Sequence, residues 1–172
     1  MQHIIYLVPV MAIIGLLYTY FKFKWVSKQD SGTPRMKEIS NYISVGAMAF
    51  LRAEWKILGY FVVVVGILLA VLAQTNPHSH WLIAVAFVIG AVLSALAGYI
   101  GMRSATLANV RTAQAARSSL KKALNVSFGG GAVMGVGDAG MAVLGLGGLY
   151  IVFKHYFAPG APLNSAEMIQ TI

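Results

Sequence analysis

Cysteine is absent from the 172 residues, which excludes disulfide bonds and thiolate chemistry and leaves the compartment unassigned. Acid is scarce as well. Asp30, Glu38, Glu54, Asp138 and Glu167 are the only carboxylate side chains, against 13 Lys and Arg. Charged residues make up 10% of the chain, where a soluble domain of ordinary composition carries about 25%. Too few charges remain to cover a water-facing surface, while 58% of the residues are hydrophobic and the mean hydropathy is +0.73. That balance belongs to membrane proteins. The net charge of +8 does not indicate nucleic acid, because the bases stand at the ends of apolar runs rather than on one patch. A phosphate-binding loop is missing too. Ser127–Gly131 reads SFGGG, with neither the Gly-Lys-Ser/Thr ending nor the preceding strand that such a loop needs.

What the chain does have is four apolar runs. The first, Ile4–Phe21, is about 27 Å long as a helix, enough to cross a bilayer core. No Lys or Arg precedes it, and Lys22, Lys24 and Lys28 follow it. A cleaved signal peptide has the opposite order, so a retained helix is expected, with its N-terminus outside. Ser27–Thr33 is a polar loop, and Thr33-Pro34 reads as helix cap and first helical residue. Ile39, Ile43, Gly46, Phe50, Ala53 and Ile57 then recur every three or four residues, one face of an amphipathic helix. It is expected to run unbroken into the second apolar run, Ile57–Ala73. Val62–Val65 favours a strand in water, but in lipid the backbone must satisfy its own hydrogen bonds and helix prevails.

Gln74–His80 carries no Lys or Arg and reads as a neutral outside turn. His78 and His80 lack the further ligands a metal site requires. In the third run, Trp81–Met102, Gly90, Ser94 and Gly98 share one face at intervals of four, a spacing that lets another helix approach closely. Beyond it lies an arm, Arg103–Asn125, with Arg103, Arg111, Arg117, Lys121 and Lys122 and no acid. Its Ala, Leu, Gln, Lys and Arg favour helix, with a bend expected near Ser118–Ser119 or at Asn125. Its bases are read as an inside-facing loop near anionic lipid; a funnel for a polyanion is the sharper alternative. The fourth run extends to Phe153. Gly131 and Gly135 lie on one face there, expected to pack against Gly90, Ser94 and Gly98. Asp138 stands in its first half. An acid in a membrane helix is a functional candidate, and an acid nearer the inside interface, reached by water or by a basic partner, is the competing reading.

Lys22–Lys56 holds seven bases (22, 24, 28, 35, 37, 52, 56) and three acids (30, 38, 54), the arm holds five bases and no acid, and Lys154 is the remaining base. The positive-inside rule then gives an all-α polytopic membrane protein. It is one transmembrane region over residues 1–172 with four helices, about 4–21, 35–73, 81–117 and 128–154. Two helical extensions are cytoplasmic and both termini are outside.

Two blocks resemble a known family. ISVGAMAFLRAEWKIL followed by a valine-rich helix, and IGAVLSALAGYIGMRSATLANVRTAQAARSSLKKALNVSFGGGAVMG, are similar to the membrane-bound, ion-pumping inorganic pyrophosphatases. The resemblance covers most of the chain from Ile39 to Tyr150. Val45 stands where that family often has a polar residue, and Asp138 where an apolar or small one is expected. The resemblance implies a much longer protein, a homodimer with about sixteen transmembrane helices. It also implies hydrolysis of cytoplasmic pyrophosphate with Mg2+, coupled to outward movement of protons or sodium ions. The aspartate-rich motifs of that family come after the part matched here, so the chain is expected to be an N-terminal portion without the active site. No catalytic, cofactor-binding or metal-binding residue is carried over, and the expected partners are membrane lipid, pyrophosphate in the full-length protein and a second copy, with no nucleic acid. The acids agree, since a magnesium-pyrophosphate site needs converging carboxylates and these five are dispersed. Two other readings stand beside this one: a self-contained four-helix structural or adaptor protein, and a small transporter with Asp138 in its path.

Overall fold

The apolar runs become helices because nothing inside them supplies an alternative partner for the backbone. The computed structural model describes residues 6–75 and 80–157. Within them are α1 (Leu7–Ser27), α2 (Pro34–Thr75), α3 (Leu82–Ala116) and α4 (Leu120–Phe157). All four are long and apolar enough to cross a membrane. The protein is thus all-helical and multi-pass, as its composition implies. With 42 residues, α2 is about 63 Å long, roughly twice the hydrocarbon core. Its amphipathic first half and its apolar second half form one continuous rod. Thr33 caps it as expected, its hydroxyl accepting from the Met36 N–H at 3.4 Å. Of the two histidines in the α2–α3 connection, His78 lies outside the described residues.

Two boundaries differ from the sequence expectation. Helix α1 does not stop at Phe21 but continues to Ser27. The Lys22 ammonium lies 5.7 Å from the Tyr18 ring centroid and 5.2 Å from that of Trp25, and Lys24 lies 4.7 Å from Tyr20. Cation–π contact and burial of the lysine stems along the helix let the bases stay helical at the end of an apolar run. Helix α4 starts at Leu120, not at residue 128. The chain reverses at Arg117–Ser119, the first of the two expected bend sites, and Ser119 Oγ accepts from the Lys122 N–H at 3.2 Å. That is a serine N-cap. Leu120–Leu124 are good helix formers, so SFGGG falls inside a helix.

In space, α4 lies between α1 and α3, and α2 packs on α3. Helices α1 and α2 are consecutive in sequence yet make no contact among the described residues. The α2–α3 seam is aromatic, with Phe61 and Phe87 ring centroids 6.4 Å apart and Trp55 and Tyr99 6.0 Å apart. The amphipathic stripe of α2 is only partly used. Met36, Ile39 and Ile43 face Thr106 and Val110 of α3, whereas Phe50 is 60% exposed and Ile57 71% exposed. Those outward apolar faces suit lipid or further protein.

Glycine decides how closely α4 fits. The three consecutive glycines of SFGGG point in three directions because successive helical residues are about 100° apart. A Cβ on Gly129 would come within 2.9 Å of the Trp25 ring of α1. One on Gly130 would come within 2.5 Å of Ala108 Cβ of α3, and one on Gly131 would meet nothing within 4 Å. Beside this contact the buried Ser104 hydroxyl of α3 donates to the Gly130 carbonyl at 3.3 Å. Further along, Gly140 and Gly147 admit Leu16 and Val8 of α1, and Gly101 of α3 admits Met134. Val26, Ser104 and Val133 are fully buried where α1, α3 and α4 meet.

Candidate functional site

The stripe expected to bring α3 and α4 together does something else. Cβ atoms on Gly90, Gly98, Gly131 and Gly135 would meet nothing within 4 Å. Within this chain, therefore, the expected close pairing of Gly90, Ser94 and Gly98 with Gly131 and Gly135 is absent, and Gly101 and Gly130 make the close approach instead. The physical reason is helical phase. The contact residues Ser104 and Ala108 occupy a different face of α3 from the Gly90 stripe.

Gly90, Ser94 and Gly98 instead line an open groove of about 700 Å³ between α2, α3 and α4. Leu69, Gly145 and Asp138 share its walls. Asp138 is half-buried, and among the described residues no side chain bonds to it or forms an ion pair with it. A carboxylate in a glycine-lined, otherwise apolar groove is costly in lipid. Nearby, Thr19 Oγ1 of α1 is buried without a hydrogen-bond partner among the described residues, and Gly137 is the glycine that admits Thr19.

The other concentration of polar chemistry lies at the basic end, where α1 stops and α3 turns into α4. Arg111 of α3 donates from Nη2 to the Ser27 carbonyl at 2.9 Å and from Nε to the Gln29 carbonyl at 3.1 Å. Its Nη1 donates to its own helix at Leu107, 2.9 Å away. The carbonyls at a helix C-terminus have no intrahelical partner, and a guanidinium supplies one. Gln114, one turn further, donates from Nε2 to Asp30 Oδ2 at 2.9 Å. The Gly32 N–H donates to Asp30 Oδ1 at 2.9 Å. That turn requires the left-handed backbone of Gly32, φ +79°. The Gly32 N–H first and the Gln114 amide next hold the Asp30 carboxyl below its ordinary pKa, against an opposing effect of burial and with a lesser contribution from Lys37.

The arm's bases are thus divided. Arg111 is a staple that ties α3 to the α1–α2 loop. Arg103 donates to Tyr99 Oη at 2.9 Å. Arg117, Lys121 and Lys122 are exposed. In the sequence nothing separates Arg111 from the other four bases of the arm. Only the return of α3 alongside α1 singles it out.

Among the described residues no three His, Asp or Glu lie close enough to hold the magnesium that the family resemblance implies. Asp30 is engaged in the loop, Glu38 pairs with Arg35 at 2.8 Å, Glu54 is mid-α2 and Asp138 is in α4. Glu167 lies outside the described residues.

Comparison with known proteins agrees with this architecture. Residues 13–172 match the family described as inorganic H+ pyrophosphatase. The chain is 47% identical over 124 residues to a putative K(+)-stimulated pyrophosphate-energized sodium pump of Clostridium tetani, covering 72% of this chain and 18% of that protein. It is 41% identical to the K(+)-stimulated pyrophosphate-energized sodium pump of Thermotoga maritima, covering 92% of this chain and 21% of that protein. Against the K(+)-insensitive pyrophosphate-energized proton pump of Methanosarcina mazei the identity is 38%, covering 89% of this chain and 22% of that protein. The chain therefore spans about a fifth of the length of the relatives it matches. On the match over residues 13–172, the chain belongs to the inorganic H+ pyrophosphatase family.

Proposed function

We propose that this chain is the N-terminal membrane portion of a pump that hydrolyses pyrophosphate and moves protons or sodium ions, and that the catalytic centre is built by other parts of the full-length protein. The observation that carries this reading is the coverage of about a fifth of each pump-like relative. The scatter of Asp30, Glu38, Glu54 and Asp138 supports it, because holding magnesium and orienting an attacking water takes several converging carboxylates. The role of these residues is then to anchor and to pack. Magnesium and pyrophosphate are bound elsewhere, and the full-length protein works as a homodimer.

The charge asymmetry supports an orientation with the Arg111 end in the cytoplasm and both termini outside. The groove of Gly90, Ser94, Gly98 and Asp138 is a seat for a further transmembrane helix of the full-length pump. Its small residues, Gly145 included, allow close approach there, and Asp138 takes a hydrogen-bond donor or a cation from that helix.

The test compares the 172-residue chain with the full-length protein, both in lipid vesicles with magnesium and pyrophosphate. Phosphate release by the full-length protein alone is expected. Turnover by the 172-residue chain above a heat-inactivated control overturns the assignment of the catalytic centre to other segments.

A further inference from the structure

A second cavity, about 610 Å³, opens at the basic end between the foot of α1 and the α3–α4 turn. Trp25, Arg111, Arg117, Lys122 and Asn125 line it together with Asp30. We propose that it is a binding site for a phosphate group, presented either by an anionic lipid headgroup or as free phosphate in solution.

Three positive side chains face one negative one in this cavity, and that acid is already committed. Both Asp30 oxygens accept hydrogen bonds, from the Gly32 N–H and from Gln114. The bases retain donors. A guanidinium has five N–H groups, and Arg111 uses three of them on the carbonyls of Ser27, Gln29 and Leu107. Arg117 spends one on a long contact to Gln114 Oε1 at 3.4 Å. Lys122 and Arg117 are solvent-accessible, and neither forms an ion pair among the described residues.

The position fits an oxyanion of that kind. Trp25 is at the foot of α1, under the Lys22 ammonium at 5.2 Å, and tryptophan marks the bilayer–water interface. Asn125, Lys122 and Arg117 share the cavity's walls with Trp25. Basic pockets between transmembrane helices bind lipid headgroups. Arginine and lysine together provide the forked and the point-charge contacts that phosphate accepts. Lys121 adjoins Lys122 in sequence but does not line the cavity, which distinguishes a built site from a general positive field.

The experiment uses the full-length protein in nanodiscs, with Trp55→Phe and Trp81→Phe and with tryptophans beyond this chain likewise replaced, so that Trp25 reports alone. One arm titrates inorganic phosphate at constant ionic strength into phosphatidylcholine discs. The other compares quenching of Trp25 by brominated phosphatidylglycerol with quenching by brominated phosphatidylcholine. Saturable quenching or enhancement by phosphate assigns the site to free phosphate, and preferential quenching by the anionic lipid assigns it to a headgroup. In either case Arg117→Gln and Lys122→Gln each weaken the response about fivefold, the expected effect of one base near a membrane surface. Lys121→Gln leaves it unchanged. No saturable response in either arm overturns the proposal, and so does equal weakening by Lys121→Gln.

Discussion

Arg111 Nη2 lies 2.9 Å from the carbonyl oxygen of Ser27, a residue 84 positions earlier in the chain. With the Gln29 carbonyl it closes the end of α1, so the α1–α2 loop is held by α3 and not by α2, which α1 does not touch. Arg111→Lys is expected to lose this. One ammonium on a flexible stem does not reproduce three donors in a fixed fork. The loss is at most about 1.5–3 kcal/mol, the range for hydrogen bonds to a charged group, reduced by solvent at this half-exposed site. Amide hydrogen exchange at residues 28–32 is expected to accelerate while exchange in α4 stays unchanged. Unchanged exchange at 28–32 would show that the staple is dispensable.

The glycines of α4 predict opposite outcomes at adjacent positions. Gly130→Ala places a Cβ within 2.5 Å of Ala108 and is expected to cost about 1–3 kcal/mol through overpacking. Gly131→Ala meets nothing within 4 Å and is expected to be neutral, or stabilising by about 0.5–1 kcal/mol. Thermal unfolding of the 172-residue chain in detergent separates them. Equal melting temperatures would mean that α3 and α4 are not in contact at Ala108.

Groove residues are expected to matter only in the larger assembly. Ser94 lines the groove and Val92 is 53% exposed. Ser94→Leu is therefore expected to be tolerated by the 172-residue chain and to disrupt the full-length pump, whereas Val92→Leu is tolerated in both. Asp138→Leu is expected to follow Ser94→Leu, and Asp138→Asn to be milder because it keeps hydrogen-bonding capacity. Full activity with Ser94→Leu would show that the groove faces lipid.

Acid is expected to loosen the α1–α2 loop at low pH only. The folded protein holds the Asp30 carboxyl below its ordinary value, so its contribution is fully present above the unfolded pKa and is lost as pH falls through the lower folded value. Exchange at Gly32 is therefore expected to follow its normal intrinsic pH dependence between pH 7 and 5. Protection is lost only below the ordinary aspartate value of 3.8. Asp30→Asn abolishes that transition. Loss of protection near pH 6 in the parent protein would point to a different group.

The amino-acid sequence by itself determined the number of helices, their membrane character and the family. These rest on local quantities: the length of each apolar run, the scarcity of charge, and the Thr33-Pro34 helix start. It also indicated the bend at Ser118–Ser119, one of two sites with non-helical preference. It did not determine where α4 begins, because Lys121 and Lys122 look like the end of a membrane span although their side chains are compatible with helix outside one. Nor did it determine which small residues touch. Gly90, Ser94 and Gly98 have the same spacing that close packing uses, but spacing gives only a shared face, and the direction of that face depends on where the neighbouring helices lie. Tertiary structure made that choice, setting α4 between α1 and α3, so that Gly129 and Gly130 became contacts, Gly131 stayed open, and the expected stripe became a groove beside Asp138. It alone also singled out Arg111 from the arm's five bases, because the carbonyls of Ser27 and Gln29 reach its guanidinium only when α3 returns alongside α1.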